Sequence, residues 1–253
     1  MKIHGRSVRM FFALIFMLSG CFGFINNAFA LGILEGWTGD IFAGYNKTNG
    51  NTHKSSGSSS AQADKKFKGA ELLFKGNFFY SESNRKMDGQ KWDVLGKYLF
   101  NFGGDDRWYN FYQVLVDHDY FADIDYRVTP AIGIGYHISK SEAWIWDADV
   151  GLGYRITRTR INEDAEDEVL TALAHTFMKK KVLANAFFSE DLTVYPGLKS
   201  GSGVLLKSES VFSNPLGKNL DLELKYIVDY NSEPADEKKK TDTQIITGIK
   251  YKF

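Results

Sequence analysis

Leu220-Asp221-Leu222-Glu223-Leu224-Lys225-Tyr226-Ile227-Val228-Asp229-Tyr230 is the stretch on which the fold turns. Leu220, Leu222, Leu224, Tyr226, Val228 and Tyr230 are apolar, while Asp221, Glu223, Lys225 and Asp229 stand between them. Successive side chains of a strand point to opposite faces, so the segment has one greasy face and one charged face. Outward along the chain the pattern repeats. Trp144, Trp146, Ala148, Val150, Leu152, Tyr154 and Ile156 oppose Asp147, Asp149 and Arg155. Trp92, Val94, Tyr98, Phe100 and Phe102 oppose Asp93, Lys97 and Asn101, and Ala70, Leu72, Phe74, Phe78 and Tyr80 oppose Glu71, Lys75 and Asn77. No helical periodicity competes with it.

Alternation of this kind also fits a soluble sandwich or a small lipid-carrying barrel, apolar inside and polar outside. Three features favour a membrane barrel. The strands are long, at or beyond the roughly 9–11 residues a tilted strand needs to cross a bilayer. Their apolar faces begin and end on aromatics, such as Trp144 and Tyr154 or Trp92 and Phe102, and aromatic girdles mark both edges of an outer-membrane barrel's apolar band. The last strand, Thr243 to Phe253, puts Ile245, Thr247, Ile249, Tyr251 and Phe253 on one face with Gly248 opposite. Gly248, Tyr251 and Phe253 resemble the terminal signal read by the barrel assembly machinery, although Ile246 stands where that signal prefers a polar residue.

Composition agrees. The chain has 253 residues, of which 43% are hydrophobic, 15% aromatic and 25% charged, with 31 basic against 31 acidic side chains. That length suits one large all-β domain or two small domains. A zero net charge argues against a nucleic-acid partner. One Cys and five scattered His residues offer no disulfide framework, no zinc cluster and no cofactor site. Residues 1–30 read as a signal peptide: Lys2, Arg6 and Arg9, an apolar core from Met10 to Ile25, then Ala28-Phe29-Ala30 for cleavage. The alternative is a lipoprotein box, Leu18-Ser19-Gly20-Cys21, with Cys21 acylated. Residues 31–253 then form the barrel.

Turn signals at Asp64–Lys66, Gly103–Asp105, Ser139–Ser141, Lys179–Lys181 and Asn214–Gly217 recur every 36–40 residues or so, the length of two strands and a loop. Longer polar connections lie between them: Lys47 to Lys54, Ser81 to Gln90, Asp117 to Asp123, Thr157 to Asp164, Tyr195 to Gly203 and Asn231 to Thr241. Short periplasmic turns with longer external loops give an up-and-down antiparallel barrel of twelve strands, with ten as the alternative. Two segments fit poorly: Lys54 to Ala63 has almost no apolar residues, and Leu183 to Tyr195 has no clear faces. Pro130, inside a strand, predicts a bulge.

The ordered motifs Trp37-Thr38-Gly39, Gly50-Asn51-Thr52, Asp125-Tyr126-Arg127, Gly133-Ile134-Gly135-Tyr136, Gly151-Leu152-Gly153-Tyr154-Arg155, Pro234, Thr241-Asp242-Thr243 and Tyr251-Lys252-Phe253 resemble the bacterial salt-induced outer-membrane protein family. The resemblance implies a Gram-negative outer-membrane barrel and carries over no catalytic residue.

Sites are sparse. His137 and Ser139 have the spacing of a barrel phospholipase pair, but alternation faces them into the lumen beside a turn, so catalysis is not expected. Asp117, Asp119, Asp123 and Asp125 crowd one external loop without the spacing of a calcium loop. Lys238, Lys239 and Lys240 could meet lipopolysaccharide phosphates. The inward faces carry Glu71, Asp93, Asp147, Asp149, Asp221, Glu223 and Asp229 with Lys75, Lys97, Arg127, Arg155, Lys225, Lys250 and Lys252. Mixed charges suit either a narrow, weakly selective channel or a plugged structural barrel, with an outer-membrane enzyme third. The expected partners are outer-membrane lipid and lipopolysaccharide, plus the assembly machinery during biogenesis.

Overall fold

A computed structural model describes residues 35–48, 53–104, 106–160, 166–235 and 238–253. The signal peptide and Cys21 lie outside the described residues, as do Gly50, Asn51 and Thr52. Twelve strands follow one another: β1 (Trp37–Thr48), β2 (Lys54–Phe67), β3 (Ala70–Ser83), β4 (Lys86–Phe102), β5 (Trp108–Asp119), β6 (Ile124–Ser141), β7 (Trp144–Thr159), β8 (Glu166–Lys181), β9 (Phe187–Pro196), β10 (Val204–Pro215), β11 (Leu220–Asn231) and β12 (Thr241–Lys252). Each pairs antiparallel with its chain neighbours, and β1 closes on β12 through pairs such as Asp40 with Lys252 and Gly44 with Gly248. Closure leaves no free edge.

The barrel is inside out relative to a soluble one. On β11, Leu222 is 41% exposed and Leu224 47%, whereas Asp221 is 4% and Glu223 2%. The outward apolar surface ends in aromatics on both sides. At the end carrying the termini, Trp108 packs on Tyr136 (4.8 Å between ring centres) and Trp144 on Trp146 (5.7 Å). At the far end Trp92 stacks on His118 (5.8 Å), and the Arg160 guanidinium lies 3.4 Å above the Tyr120 ring. Rings with one polar edge suit such boundaries. The last residue joins this belt: Phe253 and Gly39 exchange backbone bonds of 3.0 and 3.2 Å, and the ring reaches over the bare Cα of Gly39.

Several connections depart from expectation. Asp64–Lys66, Ser139–Ser141 and Lys179–Lys181 are strand, and so are Asn214 and Pro215; the chain turns at residues 68–69, 142–143, 182–186 and 216–219 instead. Polar residues continue the ladder past the apolar band, because backbone pairing is indifferent to side-chain hydropathy. Ser81 to Gln90 is likewise no long loop. β3 and β4 meet in a two-residue turn at Asn84 and Arg85, both at positive φ (48° and 68°), the geometry that matches the twist of a tight hairpin. The serine-rich Lys54 to Ala63 is strand throughout, in unbroken register with β1 and β3. Pro130 carries no bulge. It pairs with Val114 in register, and the shifts fall at residues 124–126 and 137–139 of β6. Proline removes one ladder donor but need not add a residue.

Candidate functional site

The lumen is the site. One side of it is packed like a protein core. Tyr109, Phe111, Leu115, Ala131, Leu173, Tyr195 and Leu205 form a buried cluster, with Leu95 and Leu99 against it. Space for the rings comes from glycine. A Cβ at Gly133 or Gly151 would overlap Phe111, and one at Gly135 would overlap Tyr109. The Gly-x-Gly motifs of β6 and β7 therefore keep the inner face bare where β5 is bulky. Across the barrel seam, Phe42 fills the same role over Gly44 and Gly248.

The remaining wall is a chain of ion pairs. Lys252 Nζ lies 2.8 Å from Asp221 Oδ1, and Asp221 also meets Lys250 at 3.7 Å. Lys250 pairs with Glu223, whose other oxygen is 3.7 Å from Lys225. Lys225 reaches Glu209 at 3.8 Å, and Glu209 reaches Lys75 at 3.6 Å. Lys75 Nζ is 3.2 Å from Asp191 Oδ2, whose second oxygen is 3.3 Å from His175 Nε2. His175 Nδ1 is 2.7 Å from Asp149 Oδ2, and Asp149 also takes Lys97 and the Tyr109 hydroxyl. An imidazole with a proton on each nitrogen would donate to both carboxylates. From Lys252 to Asp191 cations and carboxylates alternate, which is how ionised groups are kept in a poorly hydrated interior.

A second set lies nearer the far mouth. Asp117 is held by Arg127 (2.9 Å) and Lys207 (3.7 Å), and Lys91 pairs with Asp229. Asp93 accepts from Asn77 Nδ2 at 2.8 Å. Arg155, 5% exposed, donates to the Ser202 carbonyl (2.8 Å) of the loop after β9. Between the packed and the paired walls lies a cavity of about 740 Å³, lined by Glu71, Lys75, Asp93, Lys97, Asp147, Lys225 and Asp229 among others. A smaller one, about 300 Å³, opens at the far mouth beside Lys238, Lys239, Lys240 and Asp242.

The other candidates are engaged elsewhere. His137 Nδ1 lies 2.6 Å from Asp147 Oδ1, while Ser139 Oγ donates to the Trp144 carbonyl at 2.6 Å, with the register shift between them. Of the four loop carboxylates, Asp117 faces the lumen and Asp119 accepts from the amides of Phe121 and Ala122, both at 3.0 Å. No group of three or more metal-type ligands occurs among the described residues. Missed by sequence reasoning were Lys91, Asp117's lumenal role, His175, Asp191, Lys207 and Glu209. Lys207 and Glu209 share the inner face of β10 with buried Leu205 and Val211, a mixed face that alternation alone does not single out.

A family model described as a protein of unknown function, DUF481, matches residues 41–253. No curated protein matches the chain in sequence. Among solved structures, an outer membrane channel from Pseudomonas putida F1 covers 86% of this chain and 96% of its own, at 9% identity and a TM-score of 0.51. The NanC porin covers 85% of this chain and 100% of its own at 10% identity and a TM-score of 0.47, and the KdgM porin 85% and 99% at 12% and 0.44. At such identities the likeness concerns the fold: a closed antiparallel barrel of the outer-membrane channel type.

Proposed function

Because the chain belongs to the family of proteins of unknown function DUF481, we propose its role from its own lumen: a narrow, weakly selective channel for ions or small solutes in the outer membrane of a Gram-negative cell. Residues 1–30 are the export signal in this reading, and Gly248, Tyr251 and Phe253 are the contact for the assembly machinery. The ordered motifs, which resemble the salt-induced outer-membrane proteins, support reading it as one of them. The observation that carries the proposal is the cavity of about 740 Å³, whose lining includes seven lysines and seven carboxylates among apolar and uncharged side chains. Strong ion selectivity comes from rings of one sign, and a lining of balanced charge offers little of that.

A second reading, a plugged structural barrel, draws on the apolar cluster around Tyr109 and Phe111, which fills part of the lumen. Conductance in planar bilayers separates the two. The channel reading expects small unitary steps, with a reversal potential near zero under a salt gradient. A silent bilayer containing folded protein favours the plug, and a reversal potential near the Nernst limit refutes weak selectivity.

A further inference from the structure

In the closed order of twelve strands, β3 and β9 stand six apart, on opposite sides of the barrel. Lys75 on β3 nevertheless meets Asp191 on β9 at 3.2 Å and Glu209 on β10 at 3.6 Å. Its side chain therefore crosses the lumen. The two carboxylates are fixed from behind, Asp191 by His175 (3.3 Å) and Glu209 by Lys225 (3.8 Å). The crossing is thus a clamp between two braced walls. It is not sealed from water, because the Lys75 side chain retains 20% exposure and lines the main cavity.

We propose that Lys75, clamped by Asp191 and Glu209, is a constriction of this barrel and a residue that sets its charge preference. The inference builds on the channel reading. At the crossing one cation faces two carboxylates, Asp191 already shared with the His175 imidazole and Glu209 with Lys225, so the local field is close to neutral. Shortening Lys75 widens the path and leaves Asp191 and Glu209 facing it under-compensated, which favours cations. Neutralising Glu209 frees part of the Lys75 charge and favours anions. Lys75→Arg keeps the charge and the reach, so it should retain wild-type behaviour. The two neutralisations must therefore move selectivity in opposite directions, which a general loosening of the barrel would not do.

The test is single-channel recording of purified, folded full-length protein: wild type, Lys75→Ala, Lys75→Arg and Glu209→Gln. Folding is checked by the altered gel mobility of unboiled barrel. Lys75→Ala should raise unitary conductance at least twofold and shift the reversal potential toward cations. Glu209→Gln should shift it toward anions, and this second variant decides the matter if Lys75→Ala does not fold. If wild type conducts and the variants match it in conductance and reversal potential, the inference is overturned while the channel reading stands. A silent wild type with a conducting Lys75→Ala supports the clamp and overturns the open channel. Silence throughout overturns both.

Discussion

The two walls of the lumen occupy the same barrel by opposite means. On β5 to β7, Tyr109 and Phe111 are pressed against glycines, and the interior is filled by apolar side chains. On β9 to β12, Asp191, Glu209, Glu223 and Asp221 alternate with lysines, and the interior is held by charge. The first wall has no room for added volume. The second has no tolerance for a charge left alone. The free space lies between them, where neither solution is complete. Asp149 is the joint, since it takes Tyr109 from the packed side and Lys97 and His175 from the paired side.

The largest effect should follow from breaking that joint. The Asp149 side chain is fully buried and that of Lys97 is 7% exposed. Asp149→Ala strands a buried lysine and an imidazole, and loss of one partner of a buried pair costs about 3–5 kcal/mol. Urea unfolding in detergent should register the loss, and Asp149→Ala with Lys97→Met should recover much of it. An unchanged midpoint for the single variant would mean the walls are not coupled through Asp149.

Next in size is a charge on the outer face. Leu224→Arg should cost roughly 2–4 kcal/mol near the bilayer midplane. Its neighbour Glu223 points inward to Lys250 and Lys225. A cysteine at position 224 should therefore react with lipid-dissolved reagents in intact membranes and stay silent to aqueous ones. Ready aqueous labelling there would overturn the inside-out barrel. Third comes the packed wall: Gly135→Val drives a side chain into the Tyr109 ring and the Asp149 carboxylate. Overpacking of this kind costs about 1–3 kcal/mol. A midpoint equal to wild type would show that the β5 aromatics can move aside.

What was legible in the sequence follows from what creates contrast along a strand. β11 and β7 alternate leucine or valine with carboxylates, so their faces could be read directly. β2 could not be read this way, because its outward positions as far as residue 63 are Ser55, Gly57, Ser59, Ala61 and Ala63, too small and mild to mark a lipid face. β9 and β10 were obscure for another reason. Alternation places Glu190, Ser208 and Ser210 on the outer face, where both hydroxyls bond to the carboxylate, so these strands are polar on both sides. The charged inner residues of the clear strands could be named singly. Their partners could not, since Lys75 and Asp191 are 116 residues apart and meet only because the sheet closes with one particular stagger.

The smallest effect comes from the same chemistry in a different place. Lys54 and Asp88 pair at 3.9 Å near the far mouth, with side chains 58% and 34% exposed. Water hydrates both ions there and salt screens them, so an exposed pair contributes at most about 1 kcal/mol. Lys54→Ala should therefore leave the unfolding midpoint almost where it was and should lose even that small difference in high salt. Asp149→Ala should keep most of its effect under the same conditions, because the desolvation of Lys97 and His175 is not screened away. If salt erased both effects equally, the lumenal pairs would be as wet as the surface one. The interior would then be an open aqueous pore at that level, and burial would not be the source of their strength.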